Sequence, residues 1–304
     1  MDAGSQHLIR ARSPLPADAR VVAELVNSCT LEDVSLATYT PEAVRKTWAE
    51  GGPERFVVLE TGDGIMAYLE IEVDDRAELY FEGFVHPERR GRGLGARIID
   101  SAEERARAMG HGVRVVSNCS ARAAARLFES RGYERVAHEY AMFLDLRRVP
   151  EARWPESVRA RDFVEGRDDE LFFRIIRAAF GDDWEEGEDP RAWLEARRRM
   201  ETYDPGLWFF AEREGEAVGA VEARSWWGAQ TDTGHLKYLA VVPEARTLGI
   251  GRALVYEAAT RMAARGRRRV VLGVAVANPT AAPEFYRRIG MYVGGESFDY
   301  ARLL

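Results

Sequence analysis

Two stretches of this chain carry one pattern. Val85-His86-Pro87-Glu88-Arg89-Arg90-Gly91-Arg92-Gly93-Leu94-Gly95 and Val241-Val242-Pro243-Glu244-Ala245-Arg246-Thr247-Leu248-Gly249-Ile250-Gly251 share Val-x-Pro-Glu-x-Arg-x-x-Gly-x-Gly, with the same residue at all six named positions. Each follows an apolar run and opens an amphipathic one, which reads as strand, turn and helix. A chain of 304 residues has room for about two domains. The repeat places one in each half, 1–149 and 150–304.

Such a turn has a definite physical use. Glycines let the backbone approach a ligand, and the helix behind them presents unpaired amides at the positive end of its dipole, which suits phosphate. Arg246 and Arg252 add charge beside the second turn, and Arg90 and Arg92 beside the first, so a pyrophosphate is the expected guest. Gly91, Gly93 and Ala96 also satisfy the G-x-G-x-x-A dinucleotide fingerprint. The second copy has Leu254 at the third position, however, and no acidic residue closes the expected strand over 113–117.

Arg-x-x-Gly-x-Gly after a Val-x-Pro strand end resembles instead the cofactor loop of the GCN5-related N-acetyltransferases (GNAT), and it does so twice over nearly the whole chain. The resemblance implies two tandem GNAT acyl-CoA N-acyltransferase domains of mixed-sheet α/β (α+β) class. Acetyl-CoA would be the cosubstrate, no metal would take part, and the acyl group would pass directly to a small-molecule or peptide amine; the alternatives are a noncatalytic acyl-CoA-binding or sensing protein and an enzyme acetylating a cysteinyl amine. Carried onto this chain, the cofactor-binding positions are Leu239, Ala240, Val241, Arg246, Thr247, Leu248, Gly249, Ile250, Gly251, Arg252 and Asn278 in the second copy. In the first they are Phe84, Val85, Arg90, Gly91, Arg92, Gly93, Leu94 and Gly95.

Periodicity and turn residues predict the elements. In the first half these are a strand over 7–12, a short helix over 18–27, and a helix over 41–50 with Pro41 at its start. A hairpin of strands over 55–60 and 65–73 about Asp63-Gly64 follows, then a strand over 77–85, a helix over 94–108, a strand over 113–117, a helix over 121–130 and a strand over 135–146. Arg147 to Pro155 is the linker candidate. The second half repeats the order: strand 157–163, helices 168–180 and 190–202, strands 207–212, 217–224 and 235–241, helix 251–264, strand 270–276, helix 280–289. A final strand over 296–303 is expected to complete the second sheet.

The two copies differ where chemistry would occur. In the family an asparagine follows the fifth strand and a tyrosine sits on the next helix; here they are Asn278 and Tyr286, one residue further apart than usual with Pro283 between. A tyrosine hydroxyl can give a proton to a departing thiolate, whereas Phe128, aligned with it in the first copy, can only pack. Attack on a thioester needs a neutral amine, so a base is required. His235, opening the fourth strand, is the first candidate, and alternation puts it on the face of Lys237, Leu239 and Val241. Glu222 on the preceding strand is the second. Constant spacing puts Leu79 opposite His235 in the first copy, so the catalytic copy is expected to be the second. No Gly-x-Ser-x-Gly elbow is present, and a backbone N–H on 239–241 is expected to polarise the thioester.

The tandem arrangement is similar to that of the mycothiol synthases, whose first half is degenerate. Ala178-Ala179-Phe180, Trp193 and Tyr203-Asp204-Pro205 add to that likeness, but those enzymes carry a glutamate where this chain has His235, which points to another amine. Trp184, Trp193, Trp226 and Trp227, with Asp182, Asp183, Glu185 and Glu186, read either as an acceptor pocket for a cationic amine or as core tryptophans beside a solvated loop. Net charge −7 argues against nucleic acid as a partner, and the runs Arg197-Arg198-Arg199 and Arg267-Arg268-Arg269 read as solvated ends. Cys29 and Cys119 show no metal or redox spacing. With no apolar leader or membrane-length run, a cytoplasmic protein without a membrane partner is expected; the oligomeric state stays open.

Overall fold

The computed structural model describes residues 9–34, 39–74, 77–110, 112–120, 122–181, 189–228, 230–278 and 280–304. They fall into two compact units: Met1–Ala141 with Ala275–Pro279 and Gly294–Leu304, and Met142–Val274 with Thr280–Val293. Neither unit is a simple half of the chain. The division falls before the expected linker, and the end of the chain is counted with its beginning.

The first unit begins with β1 (Arg10–Arg12) and α1 (Ala19–Val34). The helix outruns its expected end at Asn27 because Cys29 continues the buried row of Val22, Leu25 and Val26. Its polar residues turn back on the helix: the Ser28 and Thr30 hydroxyls donate to the carbonyls of Glu24 and Asn27. In α2 (Pro41–Gly51) the Thr40 hydroxyl accepts from the Ala43 amide at 3.1 Å and Pro41 occupies the first turn, as the sequence predicts. Strands β2 (Phe56–Thr61), β3 (Gly64–Val73) and β4 (Leu79–Val85) follow, then α3 (Leu94–Met109), whose buried face is Leu94, Ile98, Ile99, Ala102 and Ala106. β5 (Arg114–Cys119), α4 (Arg122–Ser130) and β6 (Glu134–Asp145) come next, β6 running on into the second unit.

The second unit repeats the order with β7 (Val158–Asp162), α5 (Asp169–Phe180), α6 (Pro190–Arg198), β8 (Phe209–Arg213), β9 (Glu216–Arg224), β10 (Thr233–Val241), α7 (Ile250–Ala264), β11 (Arg269–Ala275) and α8 (Ala282–Arg288). Its strands lie in the order β11-β10-β9-β8-β7, antiparallel except for the parallel pair β10–β11. The first unit has the matching order β1-β2-β3-β4-β5, with β4–β5 the parallel pair.

The last strand, β12 (Tyr292–Leu303), corrects the sequence reading. It does not complete the second sheet. Its residues Phe298 to Leu303 pair antiparallel with Cys119 to Arg114 of β5, in the first unit. Tyr300 is buried there, stacked on Phe128 at 5.3 Å, and its hydroxyl donates to Glu129 at 2.8 Å. Phe128 thus packs in the core, as a phenylalanine at that position must.

Candidate active site

Both repeated turns adopt one backbone. Gly93 caps α3 and Gly249 caps α7 in the left-handed region, at φ 82° and 84°, and no side chain caps the amides that follow. Gly91 is left-handed at φ 77°, and its counterpart Thr247 holds φ 68° despite a branched side chain that disfavours it. A Cβ at Gly251 would stand 3.4 Å from Phe285, and one at Gly249 3.9 Å from Pro155. Bare backbone therefore lines the start of α7, a cradle that fits a diphosphate. The Arg246 guanidinium beside this cradle donates to the carbonyls of Val241 and Ala179 and so braces the turn. Arg252 and Arg92 are exposed beside their turns.

The strands ahead of the turns differ between the units. β10 pairs with β11 only over Thr233 to His235 and then parts from it. On its other edge it pairs with β9, but the register slips between Leu236 and Tyr238, so that Lys237 is an extra residue in a bulge. Beyond it Leu239, Ala240 and Val241 face Val221, Ala220 and Gly219. The Val242 amide donates to Val218 and the Val241 carbonyl turns to Arg246, so by alternation the amides of Leu239 and Val241 point away from β9, to the side where β11 has parted. In the first unit β3 and β4 pair without a slip from Ala67–Val85 to Val73–Leu79.

The bulge overturns two sequence inferences. Cross-strand partners share a face, and His235 faces Arg224 while Tyr238 faces Glu222. His235 therefore shares its face with Glu222, Arg224 and Tyr238, and Leu239 lies on the other, because one extra residue breaks the alternation. The first-unit position matching His235 is also Tyr80 rather than Leu79, since constant spacing holds only from the bulge onward. By the same register Glu70, opposite Glu82, matches Glu222.

α5 and α6 cover this face. Phe180 meets the Tyr238 ring at 5.5 Å and Trp193 meets it at 6.3 Å. Glu222 is wholly buried, and its Oε1 accepts from Arg224 Nε and Nη2, each at 3.0 Å. Its Oε2 has no hydrogen-bond partner among the described residues. Burial raises its pKa above the usual carboxylate value, against the pull of Arg224, Arg197 and Lys237. His235, stacked on Trp227 at 5.4 Å, goes the other way: burial, then Arg224 and Lys237, push it down to about 3. It is neutral at pH 7 and a weak base.

Tyr286 lies in α8 with its residue 8% exposed. Burial raises its pKa, which keeps it protonated at neutral pH. The extra residue between Asn278 and Tyr286 coincides with a left-handed Ala281 ahead of α8. Asn278 belongs to the segment counted with the first unit. Trp193 is a core residue, stacked with Phe172 and close to Trp208, whereas Trp226 and Trp227 are half-buried. Trp184, Asp182, Asp183, Glu185 and Glu186 lie outside the described residues. Arg198 and Arg199 pair with Asp169 and Glu195, while Arg197 turns inward over Trp193, 4.3 Å from the ring centroid. The four-residue spacing of Trp193 and Arg197 on one helix was the signal for that contact. Among the described residues no cluster of three His, Cys, Asp or Glu side chains could hold a metal ion, and no helix is long and apolar enough to cross a membrane.

Comparison with known proteins decides the family. The acetyltransferase (GNAT) family profile matches residues 170–291, and the acetyltransferase (GNAT) domain profile matches residues 52–135. Mycothiol acetyltransferase of Thermobispora bispora is 36% identical over 249 residues, covering 79% of this chain and 81% of that protein. The chain belongs to the GNAT acetyltransferase family. It is thus an acyltransferase with two GNAT domains. A GCN5-related N-acetyltransferase from Sphaerobacter thermophilus superposes with a TM-score of 0.83 at 29% identity, over 97% of this chain and 95% of that one. A tandem GNAT protein of the clavulanic acid biosynthesis pathway shares the fold at a TM-score of 0.72 and 15% identity, over 97% and 98% of the two chains.

Proposed function

We propose that the second unit of this GNAT protein transfers the acetyl group of acetyl-CoA directly to a primary amine, while the first unit binds or supports without transfer. The bulge at Lys237 carries the reading. It stands just ahead of two amides aimed away from β9, and the first-unit strand has no such slip.

Acetyl-CoA, when bound, supplies an activated thioester. The turn at Thr247 to Gly251 offers the diphosphate its bare amides, and the Leu239 and Val241 amides can stabilise charge developing on an acyl oxygen. Glu222, with one free oxygen and a raised pKa, takes the proton from the ammonium. Tyr286 holds a proton for the departing thiolate. His235, weakened by burial and two cations, gives up the role of base that the sequence assigned it first. The histidine also stands where mycothiol synthases carry a glutamate, which favours an amine other than theirs.

Release of CoA thiol over an amine panel tests this. Tyr286→Phe and Glu222→Gln should each lower turnover by about 100-fold, and Gly249→Glu should abolish it. Gly93→Glu should alter only the number of CoA molecules bound. Equal loss from Gly93→Glu and Gly249→Glu would reverse the assignment of the catalytic unit; a folded protein with no heat of CoA binding would end it.

A further inference from the structure

Glu222 is held by one oxygen only. The fork of Arg224, two residues along β9 and on the same face, closes on Oε1 with both Nε and Nη2, and Oε2 stays bare although the side chain is wholly buried. Other arginine forks in this unit bind otherwise. Arg265 divides its donors between the two oxygens of Asp204, and Arg147 spans both oxygens of Asp145. Glu212 of β8 is the nearer parallel: Arg159 closes on its Oε1 with Nε and Nη2, but Arg161 takes Oε2 at 3.0 Å. With both oxygens engaged the Glu212 pKa is lowered, first by the Arg159 bonds, whereas burial leaves that of Glu222 raised.

The internal repeat supplies a comparison. Glu70 of β3 holds the position of Glu222, and two residues on, where the second unit has Arg224, the first has Glu72, opposite Tyr80 as Arg224 is opposite His235. Burial raises the Glu70 pKa and Glu72 adds to the rise, against the Tyr68 hydroxyl and Arg55. The copy with a tyrosine on its last helix is thus also the copy with an arginine beside its buried glutamate. A fork on one oxygen does two things to a carboxylate. It fixes the rotation of the group, so the lone pairs of the other oxygen point one way, and it favours the anion that must exist before an amine proton can be taken.

We propose that Arg224 is a positioning residue of the transferase: it locks Glu222 by Oε1 and thereby keeps Oε2 as the one proton-accepting atom of that side chain. This rests on Glu222 as the base and deepens that reading. Lys237 of β10 and Arg197 of α6 also bear on Glu222, but among the described residues its hydrogen bonds come from Arg224 alone. His235, opposite Arg224 and neutral above about pH 3, does not repel the fork.

The test follows CoA-thiol release against pH for the full-length wild type, Arg224→Gln, Arg224→Lys, Glu222→Gln and the double variant Arg224→Gln/Glu222→Gln. Arg224→Gln should move the limb of kcat/KM up by about one pH unit or more and lower the plateau kcat by about tenfold, with KM for acetyl-CoA unchanged. Arg224→Lys, a charge without a fork, should keep the limb near its wild-type place and lose plateau rate. The double variant should be no slower than Glu222→Gln alone, because the arginine acts through the glutamate. An unmoved limb in Arg224→Gln, or an additive loss in the double variant, overturns the proposal. So does a full wild-type plateau in Arg224→Lys, an arm that stands even if thermal unfolding shows Arg224→Gln to be misfolded. Carbon-13 NMR of glutamate-labelled protein, with Glu222→Gln identifying the resonance, reads the same titration without turnover. A slow Glu222→Gln with no upward shift of that titration in Arg224→Gln sinks the positioning role alone; Glu222→Gln at the wild-type rate sinks the base reading and the role of Arg224 with it.

Discussion

Glu222 and His235 share one face of the β9–β10 pair, yet burial moves them in opposite directions. Loss of water disfavours whichever form is charged, so the carboxylate gains basicity and the imidazole loses it. The working base must be unprotonated before the amine arrives. Because the Glu222 pKa is raised above 4.5, activity should climb with pH through a limb lying above the ordinary glutamate range and level off once the carboxylate is ionised. His235, neutral from about pH 3 upward, should add no limb near neutrality. A pH profile of kcat/KM for wild type, Glu222→Gln and His235→Gln checks this. The limb should vanish in Glu222→Gln and stay in His235→Gln, and the reverse result would return the base to the histidine.

At the scale of the element, the bulge in β10 interrupts the strand just where function is proposed. Deleting Lys237 should restore an unbroken register with β9, with His235 still opposite Arg224 and Tyr238 opposite Glu222, and should remove the local break in the backbone ahead of the Leu239 and Val241 amides. Turnover is expected to fall by about 100-fold or more, with CoA affinity unchanged, whereas Lys237→Ala keeps the bulge and should keep most of kcat. Steady-state rates with calorimetry on both variants separate the two. The bulge was not legible in the sequence, because Leu236-Lys237-Tyr238 alternates like any strand and the slip exists only relative to β9. What was legible was local. Thr40-Pro41 fixed the start of α2, Asp63-Gly64 the first hairpin, and Gly249 and Gly251 the turn before α7. The helix α1 overran its expected end because Cys29 extends its buried row, and the environments of Glu222 and Arg197 depended on α6 folding over the sheet.

For the whole molecule, the destination of β12 matters most. A strand that follows every element of the second copy belongs to the first unit, a non-local pairing that no window of sequence records. Tyr300 anchors it through Phe128 and Glu129. Tyr300→Ala should therefore destabilise the first unit by about 3–5 kcal/mol, with the CoA site proposed at the start of α7 still binding in calorimetry. Chemical denaturation followed by a probe in each unit reads the difference, and a loss confined to the second unit would contradict the placement of β12. The same placement bears on biosynthesis. The half translated first cannot close its sheet until the ribosome has delivered the final strand, so β5 waits with an open edge through the synthesis of an entire second domain, a long exposure for which a nascent-chain chaperone is the natural guardian.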